Sequence, residues 1–165
     1  MPNEMDGMER RRDVVPDELL THLIAQLAHL LERRVDRAVA DAGLTLRQLV
    51  ALTLIAQRPG LSRRELACTL LTTPQAVSPL VSRLITAALI ECTASRGSHP
   101  GGLTLTEAGH QALQQAAPHA AVAEAAALDP LDAAEVAASG RTLRRLLTRL
   151  IGHTHDTDGA VHAAM

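Results

Sequence analysis

The chain has no phenylalanine, tyrosine or tryptophan, and its sixteen basic residues are all arginine. Without an aromatic ring nothing can stack on an unpaired base, which excludes single-strand and RNA-loop readers built on aromatic platforms. Cysteine is scarce as well. Cys68 and Cys92 stand apart, with no CxxC pair and no secretory leader ahead of them. A reduced, cytoplasmic protein is expected, with the two thiols acting as small buried hydrophobes inside predicted elements. No apolar run approaches the length of a membrane span, so no membrane partner is expected. Also missing are a phosphate-cradling glycine loop, paired carboxylates and a Ser-His-Asp spacing, which leaves no case for an enzyme or a cofactor. Nor does one sign of charge dominate. The formal net charge is −2, too small for a global field that attracts nucleic acid.

What is present is 165 residues, 47% of them apolar and drawn almost entirely from Ala, Leu, Val and Ile. That composition fits one mainly helical globular domain with a substantial core. Charge is uneven along it. Between Arg58 and His99, Arg58, Arg63, Arg64, Arg83 and Arg96 stand against Glu65 and Glu91, five against two, a basic patch on an acidic body.

The chain is organised around Leu61–Leu89, LSRRELACTLLTTPQAVSPLVSRLITAAL. Ser62 stands three residues before Glu65, a capping box that predicts a helix from Arg63. Thr73 followed by Pro74 is the preferred order for a second helix start. In that helix Ala76, Val77, Leu80, Val81 and Leu84 form the apolar face, leaving Gln75, Ser78, Ser82 and Arg83 for a partner. Two short helices joined by about four residues, with short polar groups near the start of the second, form a helix-turn-helix. That motif places its second helix in a DNA major groove. Thr73, Gln75, Ser78, Ser82 and Arg83 are the candidate DNA contacts: Gln reads adenine with two hydrogen bonds, and Ser and Thr reach base edges or phosphates. Ser62, Arg63 and Arg64 open the preceding helix, where backbone amides suit a phosphate. Pro79 falls inside the second helix, where it removes a backbone hydrogen bond.

Elsewhere the pattern is mostly helical. Residues 1–16, with Arg10, Arg11 and Arg12, have no apolar period and are expected to form a flexible arm. A long stripe from Leu19 to Val39 predicts a helix over 17–42, started by Asp17 and Glu18 and stopped by Gly43. Its apolar residues occupy more than one side, as in a helix that packs on a second copy of the chain. Thr45 and Gln48 form another capping box, opening a helix that stops at Arg58-Pro59-Gly60. Two extended segments, Ile90–Ala94 and Leu103–Leu105, flank a glycine-rich loop and complete a winged helix with a two-stranded β wing. Thr106 caps a helix from Glu107 to about Leu128, interrupted near Pro118. Asp129 and Pro130 start a last helix, weakened at Gly140 and ended by Gly152. The tail, 153–165, is expected to be loose. Its His153, His155, Asp156, Asp158 and His162 are metal-ligand types without a rigid frame, so no metal site is expected.

Leu61-Ser62, Glu65-Leu66-Ala67, Val77, Leu80-Val81, Arg83-Leu84, Leu89-Ile90-Glu91 and above all Leu105-Thr106-Glu107-Ala108-Gly109 occur in this order. Over residues 17–152 the chain resembles the MarR family of winged helix-turn-helix transcriptional regulators. The resemblance implies a homodimer joined through helices within 17–43 and 107–152, with residues 45–106 as the DNA-binding lobe. It implies a pseudo-palindromic double-stranded operator, half-sites about one helical turn apart, and release by a small-molecule effector, so that the protein acts as a ligand-responsive repressor. The wing would reach the minor groove, where Arg96 and His99 are its candidates. The effector pocket, between the dimerisation helices and the lobe, would be served by His22, His29 and His110. Its short wing and Pro79 also admit another reading, a winged-helix dimer that binds or transforms a small molecule without operator recognition.

Overall fold

The computed structural model describes residues 19–93 and 102–162. Helix α1 spans Leu20–Val39 and tightens into a 3₁₀ turn at Ala40–Ala42. There follow α2 (Leu46–Gln57), α3 (Arg63–Thr69), α4 (Pro74–Thr86), strands β1 (Ile90–Cys92) and β2 (Leu103–Leu105), α5 (Glu107–Leu128) and α6 (Ala133–His162). The chain forms two compact units, divided after Glu124.

In the first unit most helix starts follow from local hydrogen bonds. The Thr45 hydroxyl accepts the Gln48 N–H at 3.3 Å while the Gln48 amide oxygen accepts the Thr45 N–H at 2.8 Å. At α4 the Thr73 hydroxyl accepts the Ala76 N–H at 3.2 Å, and Pro74 takes the first helical position, where no N–H is needed. Gly43 stops the first helix in the left-handed conformation, φ +69°, as the sequence predicts. Asp36 then accepts the Leu46 N–H at 2.6 Å, tying the end of α1 to the start of α2.

The core gathers residues from helices α1 to α5 and both strands. Val35 and Val39 of α1, Leu49, Leu52 and Ile55 of α2, Leu66 of α3 and Val77, Val81 and Leu84 of α4 are buried together with Ile90, Leu103 and Ala116. Beneath them, β1 and β2 pair antiparallel with Ile90 opposite Leu105 and Cys92 opposite Leu103. Leu61 adds a bridge to Leu103, so the segment entering α3 is hydrogen-bonded to the wing. After the wing, the Thr106 hydroxyl accepts the Gly109 N–H at 3.0 Å and donates to the Ala88 carbonyl at 2.6 Å. A β-carbon on Gly109 would lie 2.0 Å from the Leu89 carbonyl oxygen. The glycine of LTEAG is therefore required by a close approach of two backbones.

The structure corrects several expectations. Helix α5 runs unbroken through Pro118; a proline forfeits one hydrogen bond, and Ala116 and Ala123, both buried, hold the helix on either side of it. In the second unit α6 starts at Ala133, not after Asp129. Asp132 and Glu135 cap each other's N–H groups at 2.8 Å, and this reciprocal box outcompetes the Asp129-Pro130 pair. Nor does α6 end at Gly152, since it continues to His162. Interior glycine costs about 1 kcal/mol but keeps its N–H and forces no stop. The first wing strand ends at Cys92. The N-terminal arm, Asp17, Glu18 and the wing tip with Arg96 and His99 lie outside the described residues.

Candidate nucleic-acid interface

The turn between α3 and α4 is built by a paired helix ending. The Thr72 N–H reaches back to the Ala67 carbonyl at 3.0 Å and the Leu71 N–H to the Cys68 carbonyl at 3.1 Å. Leu71 thereby occupies the position usually given to glycine, with φ +51°. Helix α4 closes in the same manner through Ala88, φ +55°, with Leu89 bonded to Leu84. Both ends of α4 are thus fixed by hydrogen bonds.

Its buried side is narrower than the sequence predicts, since Ala76 and Ile85 are exposed. Val77, Val81 and Leu84 are at most 1% exposed, whereas Gln75, Ser78, Pro79, Ser82, Arg83 and Thr86 all face solvent. The candidates Gln75, Ser78, Ser82 and Arg83 therefore lie on one accessible helix. Thr73 also is exposed, but its hydroxyl serves as the cap. The Ser78 hydroxyl donates to the Pro74 carbonyl at 2.9 Å, leaving its acceptor capacity outward. Proline at 79 does not interrupt the helix.

Ser62 is committed to its box: its hydroxyl accepts the Glu65 N–H at 3.2 Å and donates to the Glu65 carboxylate at 2.6 Å, and its own N–H reaches the same carboxylate at 2.8 Å. These bonds, first the hydroxyl and then the backbone one, with the Arg58 charge added, hold the Glu65 carboxyl below the usual glutamate range. Arg63 and Arg64 are exposed at the same helix start.

The structure adds a cavity that the sequence reading missed. A pocket of about 280 Å³ lies beside α4, lined by Thr45, Arg47 and Gln48 from the start of α2, Thr72 from the turn, and Leu80 and Arg83 from α4. None of the candidate pocket histidines lines it. His22 is half-buried on α1, and His29 and His110 are exposed. Cys68 and Cys92 are exposed too, which corrects their expected burial. Cys68 follows the buried Ala67 on the outward side of α3, and Cys92 ends β1 beyond the core, with Arg63 Nη2 at 4.0 Å from its sulfur. Among the described residues no group of His, Cys, Asp and Glu is placed to hold a metal ion, and no single helix is long and apolar enough to cross a membrane.

A helix-turn-helix completed by a two-stranded hairpin makes this a winged-helix protein. The chain belongs to the MarR family, whose model matches residues 42–99. It is 32% identical over 135 residues to the HTH-type transcriptional repressor Rv2887 of Mycobacterium tuberculosis, covering 81% of this chain and 94% of the relative. A crystal structure of the MarR family protein Rv2887 in complex with DNA has 30% identity and a TM-score of 0.62, covering 77% of this chain and 96% of that one. One in complex with salicylic acid has 31% identity and a TM-score of 0.59, over 79% and 95%.

Proposed function

We propose that the chain is a sequence-specific DNA-binding transcriptional repressor that acts as a homodimer in the cytoplasm, has no chemistry of its own, and is released from its operator by a small molecule. The observation that carries this reading is α4, fixed at both ends by hydrogen bonds and exposing a polar face without a single acidic side chain. An accessible, acid-free recognition helix favours DNA over the repurposed small-molecule binder. Gln75, Ser78, Ser82 and Arg83 would meet base edges and adjoining phosphates. Arg63 and Arg64 beside the closed Ser62 box, with Thr73 at the start of α4, would take phosphates, and Arg96 and His99 would follow the minor groove.

Dimerisation is supported by leucines that the single chain leaves in water. Leu20, Leu27 and Leu30 of α1 are 53–62% exposed, and Leu143, Leu146, Leu147 and Leu150 of α6 are 41–64% exposed. Exposed apolar stripes of this size mark interaction surfaces. In this arrangement segments 17–43 and 107–152 join the two copies, and 45–106 forms each DNA lobe. Salicylic acid on the mycobacterial relative supports a small aromatic acid as effector, with His22, His29 and His110 as donors to its carboxylate. The effector acts by favouring a lobe spacing that no longer fits successive major grooves.

The test is selection of random duplexes by the purified protein at two salt concentrations. The expected result is a palindromic motif whose affinity falls as salt rises, and Arg83→Ala should weaken binding to it. A folded dimer that enriches no sequence would refute the proposal.

A further inference from the structure

One row on α4 carries a more specific inference, which rests on the reading of the chain as a DNA-binding regulator. Gln75, Pro79, Ser82 and Thr86 follow each other at steps of four, three and four residues, the spacing of one helix face. All four are exposed, and the row lies opposite buried Val77, Val81 and Leu84. With the buried side held by the lobe, this row is the part of α4 that enters a groove deepest.

The row is uncharged. It has no arginine, the side chain that reads guanine through O6 and N7, and no carboxylate to accept from cytosine N4. Arg83 stands to one side of the row on the helix surface, and it lines the cavity that Pro79 also borders. What the row does hold is an amide at Gln75, whose donor and acceptor match adenine N6 and N7, and one turn later the ring of Pro79. That proline has a cost, because it offers no N–H to the Gln75 carbonyl. In return its ring presents a rigid apolar face with no rotamer freedom to lose, a surface on which a thymine C5 methyl can pack.

We propose that α4 reads A·T pairs at the centre of each half-site, with adenine under Gln75 and a thymine methyl against Pro79. Four residues at a helical rise of about 1.5 Å, against about 3.4 Å per base pair, place the two contacts roughly two base pairs apart. Ser82 and Thr86 accept either base edge and set no strong preference.

The experiment is duplex selection with the wild-type chain, Gln75→Ala and Pro79→Ala, followed by binding to the selected site with deoxyuridine in place of individual thymines. Wild type should enrich a palindrome with A·T at two positions in each half. Gln75→Ala should lose roughly tenfold discrimination at one of them. Pro79→Ala restores a donor for the Gln75 carbonyl, so its melting temperature should hold or rise while the thymine preference at the other position weakens to what one methyl group can supply. Removing that thymine's methyl should weaken wild type several-fold and Pro79→Ala clearly less, a pattern no purely structural role produces. A palindrome with G·C at these positions, or wild-type indifference to the methyl, overturns the proposal and leaves the regulator reading intact. If no motif is enriched, both fall.

Discussion

Leucines at helical spacing have opposite fates in two parts of this molecule. In the winged lobe Leu52, Leu66 and Leu84 are fully buried, whereas Leu20 and Leu30 of α1 are 62% exposed and Leu150 of α6 is 64% exposed. Helix α1 contains the contrast within itself: Val35 and Val39 near its end enter the lobe core, while Leu20, Leu23, Ile24, Leu27 and Leu30 remain outside. The lobe closes its core from its own chain. The leucine stripes have the same spacing and no such closure, so their burial requires a surface that one chain does not supply. Apolar periodicity thus reports that a face will be covered and is silent about which chain covers it.

The largest effect that tests this contrast comes from shortening one leucine in each part. Leu52→Ala should cost about 2–5 kcal/mol, the usual range for a leucine removed from a closed core, and the loss should be the same at any protein concentration. Leu27→Ala or Leu147→Ala should leave the isolated lobe's stability nearly unchanged and shift the monomer–dimer balance, so their apparent cost should depend on concentration. Denaturant unfolding at two concentrations, together with sedimentation, separates the cases. A concentration-independent loss of several kcal/mol from Leu27→Ala would mean that the stripe belongs to a core within one chain.

The same division governs what the sequence could reveal. Caps at Thr45 and Ser62 are legible because each pairs with a residue three positions on, and Thr73 because Pro74 follows it; these and the Thr106 cap all form. The start of α6 is not legible, because Asp129-Pro130 and Asp132–Glu135 are both plausible starts and only the second closes two hydrogen bonds. Pro118 and Gly152 carry local break signals, yet α5 and α6 run through them. The exposure of Cys68 and Cys92 depends on where the core ends, which no local spacing encodes. Arg47 is not legible as a cavity residue because the cavity joins three stretches of chain, and Arg83, which also lines it, is 36 residues away in sequence. The outward face of α4 was readable from one helical period, and its candidate residues lie together on it.

A smaller effect sharpens the picture of the lobe as a self-sufficient unit. Leu71 holds a left-handed conformation that costs a side-chain-bearing residue about 1–2 kcal/mol, and at 58% exposure it recovers little by burial. Leu71→Gly removes that strain but loosens the unfolded chain, so the net gain should be at most about 1 kcal/mol. Thermal unfolding should show a rise of a few degrees, with the dimer constant unmoved because the turn lies in the lobe. A drop in melting temperature would reveal that the Leu71 side chain supplies contacts outweighing its backbone strain.

The smallest effect is electrostatic and again belongs to the lobe alone. Glu65 is held below the ordinary glutamate range, chiefly by the Ser62 hydroxyl, then by the Ser62 N–H and the nearby Arg58 charge. A carboxyl whose folded value is lowered contributes stability that is present above the unfolded value and fades as pH falls through the lowered one. Acidification should therefore loosen the start of α3, while the leucine stripes, which contain no titrating group, should keep their association over the same interval. NMR titration of the Glu65 carboxyl should give a depressed value in wild type and a higher one in Ser62→Ala. An ordinary value in wild type would show that the box is open in solution and that the start of α3 is held by its packing alone.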